Sequence, residues 1–293
     1  MKLWLIRLVM RMLSWITPRA GEFIAPPIAF LVWHLSARLR RVTIINLKLV
    51  FPDMDAGARH KMARASMYHY VRGVLEAGML WNWSIDRIFD QFDEALGLDQ
   101  YEQAKTEGRG VILAGVHAGS WELLGLYMQK HFKGSILYKP GKHADIEEML
   151  LEKRRRSGAV LVPASPSGLR TMYSRLKRGE TVALVPDQEP TLGEGQFAPF
   201  YGVEALTGVL LPRMAQRFNA LVLFATCRRV TGGRYQVHIF KADEDIYDSD
   251  MRVAVSAVNR GIEQCIDVAP EQNLWAYKRF RNRPEGEKSV YKK

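Results

Sequence analysis

Cysteine is nearly missing from this chain: 293 residues hold two, Cys227 and Cys265, far apart and in no Cys-x-x-Cys pair. That excludes a disulfide framework or a zinc ribbon and fits ordinary thiols in a reducing compartment. There is no Gly-x-Ser-x-Gly nucleophile elbow, no His-Glu-x-x-His and no phosphate-loop motif, so serine-hydrolase, zinc-protease and P-loop chemistry lack their sequence marks. Ser174-Arg-Leu-Lys177 fits Ser-x-x-Lys, but the surrounding basic stretch lacks the companion motifs and the match is read as chance. No cluster has metal-ligand spacing, so neither a metal nor a resident cofactor is expected. Low-complexity tracts are absent as well, which argues against wholesale disorder.

What is present is a large apolar fraction, 47%, with an ordinary 25% of charged residues. That suffices for one large core or two fused lobes. Lys and Arg number 42 against 31 Asp and Glu, a net charge of +11. Such an excess favours anionic partners: nucleic acid, anionic lipid or an acidic carrier protein. Aromatic interleaving on a basic surface is not evident, so nucleic acid is not expected among them.

The amino end stands apart. Leu3 to Ile16 is largely apolar but interrupted by Arg7 and Arg11. A secretory signal keeps an unbroken apolar centre, and a spanning helix wants about 20 mostly apolar residues. The stretch suits a helix lying in the membrane interface, with Trp4 and Trp15 as anchors and the arginines toward lipid phosphates. A second apolar stretch, Phe23 to Leu35, contains Pro26 and Pro27 and precedes Arg38, Arg40 and Arg41. Residues 1–50 are therefore expected to associate with a membrane, with the spanning and surface-lying alternatives open, as is the reading of both stretches as core helices.

Residues 51–293 read as one domain. Residues 56 to 95 are expected to be helical, since Met62, Ser66, His69, Tyr70, Gly73, Val74 and Ala77 recur at three- and four-residue spacing. Strands are expected at Val111–Val116, Ser135–Tyr138, Ala159–Val162, Thr181–Val185, Leu221–Arg228 and Tyr235–Phe240. Helices are expected at Trp121–Phe132, Asp145–Arg156, Gly168–Lys177, Leu206–Arg217 and Met251–Asp267. Their alternation predicts an α/β fold: a central, mostly parallel or mixed sheet flanked by helices.

Chemistry is expected at the carboxyl end of the strand that closes on Val116, where open α/β sheets bind ligands. His117 stands there, and Ala118-Gly119-Ser120 turns into a helix whose free amides favour negative charge. In one continuous helix, His117 and Glu122 would point about 140° apart. With His117 on the loop and Glu122 in the first turn, the carboxylate reaches back, fixes the imidazole tautomer and leaves the other nitrogen to take a proton. The alternative is a hydrogen-bonded core histidine. Within Lys153-Arg154-Arg155-Arg156, at least one guanidinium turns toward the sheet end if the run is not simply a solvated face. Asp187, after another strand, either borders the site or caps a turn.

These residues also carry a resemblance. His117-Ala-Gly-Ser-Trp-Glu122-Leu resembles the His-x-x-x-x-Glu element of the late acyltransferases of lipid A biosynthesis, the lauroyl- and myristoyl-transferring branch of the lysophospholipid acyltransferase superfamily. Arg41 through Asn46-Leu47 with Phe51-Pro52, Tyr138-Lys139-Pro140, Arg154 through Gly158, and Pro186-Asp187-Gln188 resemble further family segments. So do Ala269-Pro270-Glu271-Gln272 with Trp275, Arg279-Phe280, and Arg283 through Gly286. The resemblance runs from about residue 35 almost to the end. It implies an enzyme of lipopolysaccharide and lipid metabolism at the cytoplasmic face of the inner membrane, held by a single-pass or monotopic amino-terminal anchor. His117, oriented by Glu122, would deprotonate the hydroxyl of an (R)-3-hydroxyacyl chain on a lipid A precursor of the Kdo2-lipid IVA type. The resulting oxygen would attack the thioester of acyl–acyl carrier protein, a co-substrate in place of any cofactor. Arg154, Asp187, Gly119, Ser120, Lys139 and Arg156 would bind substrate or stabilise the transition state, although lysine at 139, where the family has arginine, weakens any bidentate contact. Acyl carrier protein, the anionic lipid A precursor and membrane lipids are the implied partners. An acyltransferase for another lipid acceptor, a thioesterase, and a basic binding module for membrane or nucleic acid are the alternatives.

Overall fold

A computed structural model of the chain describes residues 3–141, 144–156, 158 and 160–292, with backbone alone at 144–146. Three helices lead: α1 (Leu3–Leu13), α2 (Pro18–Leu35) and α3 (Ala37–Val50). Thr17 caps α2 by accepting the Ala20 amide, and Pro18 occupies the first turn, where its missing N–H is not needed. The long α4 (Ala56–Asn82) begins at Asp55, whose carboxylate accepts the amides of Gly57 and Ala58. Both α1 and α2 lie along α4. Gly78 makes the approach of α1 possible, because a Cβ there would sit 2.3 Å from the Leu13 backbone. Among the described residues no single helix is long and apolar enough to cross a membrane; α2 and α3 together are, but they meet at a 92° bend.

After α5 (Ile85–Phe89) and α6 (Asp99–Thr106) come β1 (Val111–Gly119), α7 (Trp121–Phe132), β2 (Ser135–Tyr138), α8 (Ala144–Arg155), β3 (Val160–Pro163), α9 (Pro166–Lys177) and β4 (Thr181–Leu184). A hairpin follows, β5 (Gly195–Phe200) and β6 (Val203–Gly208), then α10 (Leu210–Phe218), β7 (Leu221–Val230), β8 (Arg234–Lys241) and α11 (Met251–Asp267). The main sheet runs β3-β2-β4-β1-β7-β8, with parallel pairing except for the antiparallel β7–β8 edge. Central β1 is buried on both faces, as its unbroken apolar run predicts. Its alternation divides the core: Ile112, Ala114, Val116 and Ala118 face one cluster with Ile262 and Ile266 of α11, while Val111 and Leu113 face another with Leu123 and Leu124 of α7.

The expected α/β fold is present, and α7, β2 and α11 begin and end where the sequence reading sets them. Three readings need correction. The expected helix over 56–95 stops at Asn82, and Ser84 caps the short α5. Leu206 belongs to β6, so the helix expected from Leu206 starts at Leu210; Gly195–Phe200 and Val203–Gly208 pair antiparallel in a hairpin that the mixed polar and aromatic composition concealed. β1 continues past Val116 to Gly119. Ala159, placed in the third expected strand, lies outside the described residues.

Candidate active site

The register between β1 and β4 builds the site. Val111 pairs with Thr181 and Ala114 with Leu184. The same register continued three residues further sets His117 opposite Asp187. The Asp187 carboxylate accepts the His117 backbone N–H at 2.8 Å on one oxygen and the ring Nδ1 at 2.8 Å on the other. An ionised carboxylate accepts only, so Nδ1 carries the proton and Nε2 keeps its lone pair. Burial works against a charged imidazole, but the Asp187 carboxylate outweighs it, and the His117 pKa is raised above its ordinary 6.5. Asp187 is held below its ordinary range, because His117, its backbone N–H and Arg279 together overcome burial. Nε2 has the Gln188 side-chain nitrogen 3.5 Å away, and the Trp121 ring lies 5.6 Å from the imidazole, centroid to centroid.

Glu122 does not reach the imidazole. Its carboxylate is taken by Arg154 of α8, with Nη2 donating at 2.6 Å and Nε at 3.2 Å. The expected His117–Glu122 contact is thus corrected to His117–Asp187 and Glu122–Arg154. The helix does begin between His117 and Glu122, at Trp121, but His117 is still in the strand, where the neighbouring strand end meets it first. Glu122 and Arg154 remain close enough that their fields act on His117 in opposite directions. Arg154 is therefore the member of the basic run that turns toward the sheet end.

Gly119 and Ser120 have structural duties. Between Gly115 and Gly119 the β1–β7 register slips: Gly115 faces Ala225 and Gly119 faces Cys227, so β1 spends four steps where β7 spends two. Gly119 ends this bulge at φ 61°, and a Cβ there would meet the Cys227 carbonyl oxygen at 2.0 Å. The Ser120 amide donates to that carbonyl at 2.7 Å. Its hydroxyl donates at 2.9 Å to Glu76, a buried carboxylate that also accepts Arg229 at 2.7 and 2.8 Å. Neither the Ser120 amide nor its hydroxyl is left for a ligand, contrary to the expectation of a substrate contact there. Arg156 is likewise engaged elsewhere: it donates to the carbonyls of Trp83, at 2.8 Å, and Leu80, tying the end of α8 to the end of α4. Lys139 is exposed just beyond β2, at the same carboxyl end of the sheet as His117.

A narrow cleft is lined by His117, Asp187, Phe200, Ile262, Ile266 and Arg279, among others. Its walls combine an apolar slot with a proton-accepting nitrogen, an arrangement suited to an apolar chain carrying a reactive carbonyl or hydroxyl. No group of three or more His, Cys, Asp or Glu side chains among the described residues is arranged to hold a metal. Sequence reasoning passed over Glu76 and Arg229 because nothing in their local sequence marks a pair 153 positions apart.

Residues 1–282 match the family model of the bacterial lipid A biosynthesis acyltransferases. The lipid A biosynthesis palmitoleoyltransferase of Escherichia coli K12 is 33% identical over 248 residues, 84% of this chain and 80% of that protein. The lauroyltransferase of the same organism is 31% identical over 256 residues, 86% and 83%. A phosphatidylinositol mannoside acyltransferase of Mycobacterium tuberculosis is 24% identical over 187 residues, 62% and 59%.

Proposed function

We propose, for a chain that belongs to the bacterial lipid A biosynthesis acyltransferase family, that it moves a fatty acyl group from an acyl carrier protein thioester to the hydroxyl of a (R)-3-hydroxyacyl chain on a lipid A precursor. The observation that carries the reading is the Asp187 carboxylate gripping both the backbone N–H and Nδ1 of His117. That grip fixes the tautomer and turns Nε2 toward substrate, the requirement for a general base. His117 Nε2 takes the hydroxyl proton as the oxygen attacks the thioester carbonyl. The tetrahedral adduct then expels the thiolate, which recovers the proton from the imidazolium. No acyl-enzyme forms, in keeping with the missing nucleophile elbow. Arg154, steered by Glu122, and the Gln188 amide supply positive charge and a donor beside the reacting oxygens. Higher identity and longer coverage favour a lipid A acceptor over a mannoside one.

The same reading places the enzyme at the cytoplasmic face of the inner membrane. Its support is the exposed apolar surface of α2 and the turn before it, where Trp15 in the turn and Phe23 and Leu35 on the helix are 77%, 75% and 82% exposed. Exposed Arg38, Arg41 and Arg64 flank the bend that follows. Apolar side chains entering the acyl region with cations at headgroup depth are a favourable combination, and the net +11 attracts both the anionic acceptor and an acidic carrier.

Wild type and His117→Ala, supplied with acyl carrier protein thioester and lipid A precursor, test the chemistry; mass analysis of the product reads acceptor and chain length together. Loss of transfer with retained folding is expected, and activity within about threefold of wild type would sink the general-base role. For the membrane, Trp15→Ser, Phe23→Ser and Leu35→Ser combined should abolish sedimentation with phosphatidylglycerol-containing vesicles. Substitution is preferred to removal of the segment because α2 covers Val71 and Leu75 of α4.

A further inference from the structure

Arg279 is an oddity in the core. It is 6% exposed, yet its hydrogen bonds go to neutral oxygens: the Leu206 carbonyl at 2.6 Å, the Thr207 hydroxyl at 2.6 Å and the Asn259 side-chain oxygen at 3.3 Å. Its Nε has no partner. A buried cation with no carboxylate in contact is expensive. The chain has nonetheless constructed a holder for it. Asn259 is fixed by donating to the carbonyls of Ala198 and Pro199 and by accepting the Thr207 hydroxyl at 2.8 Å, and the Phe200 ring lies 5.2 Å from the guanidinium. The β5–β6 hairpin and α11 thus hold one positive charge in place.

The cleft shows what that charge serves, for Arg279 lines it together with His117 and Asp187. Two carboxylates act on the guanidinium, Asp187 more strongly than Glu189. Glu189 already accepts Arg281 and both the backbone and side-chain nitrogens of Asn282. Of the two, Asp187 is the one that lines the cleft with Arg279.

We propose that Arg279 is a positioning residue for the base: a fixed cation in the same cleft whose field on His117 and Asp187 sets the pH above which His117 accepts protons. This rests on the reading of His117 as the general base. The titratable and charged groups facing the pair and Arg279 from the surrounding elements are Glu122 on α7, Arg154 on α8, Glu189 after β4, Cys265 on α11, and Tyr277 on the segment after α11 that carries Arg279 itself. Arg279 is the cation among them with no carboxylate gripping it, whereas Arg154 is tied to Glu122. Removing a positive charge makes every nearby site bind protons more tightly, so the direction of the effect is fixed for both His117 and Asp187.

The test compares wild type, Arg279→Gln and Arg279→Lys by the pH dependence of kcat/KM and by NMR titration of the His117 ring, which needs no turnover. Arg279→Gln should move the acid limb and the ring titration upward by about one pH unit, and Arg279→Lys should bring both most of the way back. A merely structural role would lower the plateau and leave both midpoints in place, and that result overturns the proposal. If Arg279→Gln does not fold, Asp187→Asn/Arg279→Gln decides. With the Asp187 charge gone, losing the cation should cost less, so the double variant should fold and melt no lower than Asp187→Asn alone; a double variant that also fails to fold overturns the proposal. Failure of the general-base reading looks different: His117→Ala stays active while the ring titration still shifts in Arg279→Gln.

Discussion

Two acid–base pairs lie a few residues apart along β1 and the start of α7. Asp187 holds His117, and Glu76 holds Arg229 with Ser120 as a third member. The side chains of the first pair are 23% and 11% exposed, those of the second 3% and 4%. Every oxygen of Glu76 is engaged, and Arg72, whose other donors go to Tyr68 and the Pro18 carbonyl, stands 3.9 Å away. No oxygen of that carboxylate is left to react; the cluster fastens the entry of α7 to α4, β7 and the α1–α2 turn. In the first pair the carboxylate is equally committed, but one ring nitrogen is held only by the Gln188 side chain, at 3.5 Å. Complete satisfaction suits a structural pair, and a loosely held ring nitrogen beside a committed carboxylate is what a base requires.

The contrast can be broken most sharply at Asp187. Asp187→Asn should lower kcat by about 10²–10⁴-fold, whereas Glu122→Gln, acting through Arg154, should lower it by about tenfold. Steady-state kinetics on both variants would invert the assignment if Glu122→Gln proved the more damaging. At the other pair, Glu76→Ala should cost about 3–5 kcal/mol of stability, because it strands the buried Arg229 charge; thermal unfolding reads this, and the rate per folded molecule should hardly change. Ser120→Ala should cost less, about 1.5–3 kcal/mol, the worth of a hydrogen bond to a charged group, measured as a denaturant midpoint. A loss of rate at constant stability in Ser120→Ala would instead return Ser120 to the substrate.

The smallest effect is in pH. His117 is raised above 6.5, so its pairing stabilises the fold fully below about 6.5 and ceases to do so as pH rises through the raised folded value. Asp187 is depressed below 3.8, so its contribution is present above about 3.8 and is lost as pH falls through the lower folded value. The base needs its lone pair, so the acid limb of kcat/KM in wild type should lie above 6.5. In Asp187→Asn, where burial is no longer opposed by the carboxylate, the limb should move down by about one unit. A limb unmoved by the substitution would mean that the imidazole does not answer to Asp187.

Much of the fold was legible because the relevant signals are local. Apolar runs of strand length, helical spacing and the strand-to-helix passage at Gly119-Ser120 placed β1, α7 and α11 and put His117 at the working end of the sheet. Two features lay beyond such signals. The strand order sets β4 beside β1, and only that adjacency brings Asp187 to His117; Glu122, nearer in sequence, was the natural but mistaken partner. The hairpin from Gly195 to Gly208 pairs with itself rather than with the main sheet, and its Pro199 and Phe197 gave no clean alternation. Arg154 was distinguished from its basic neighbours by resemblance, not by charge, since Arg155 reaches Glu148 on the exposed side of α8 and Arg156 turns to α4.

The shared register of β1 and β4 has a consequence for how this chain can change length. From Val111 to His117 and from Thr181 to Asp187 the two strands count the same six steps, and one carboxylate spans the ends of both counts. Gaining or losing one residue between Ala114 and His117, or between Leu184 and Asp187, turns the imidazole or the carboxylate to the opposite face of the sheet. The crossover between the strands and the loop after Glu189 are under no such rule. Insertions and deletions among related sequences should therefore collect in those connections and stop at the two six-step rulers.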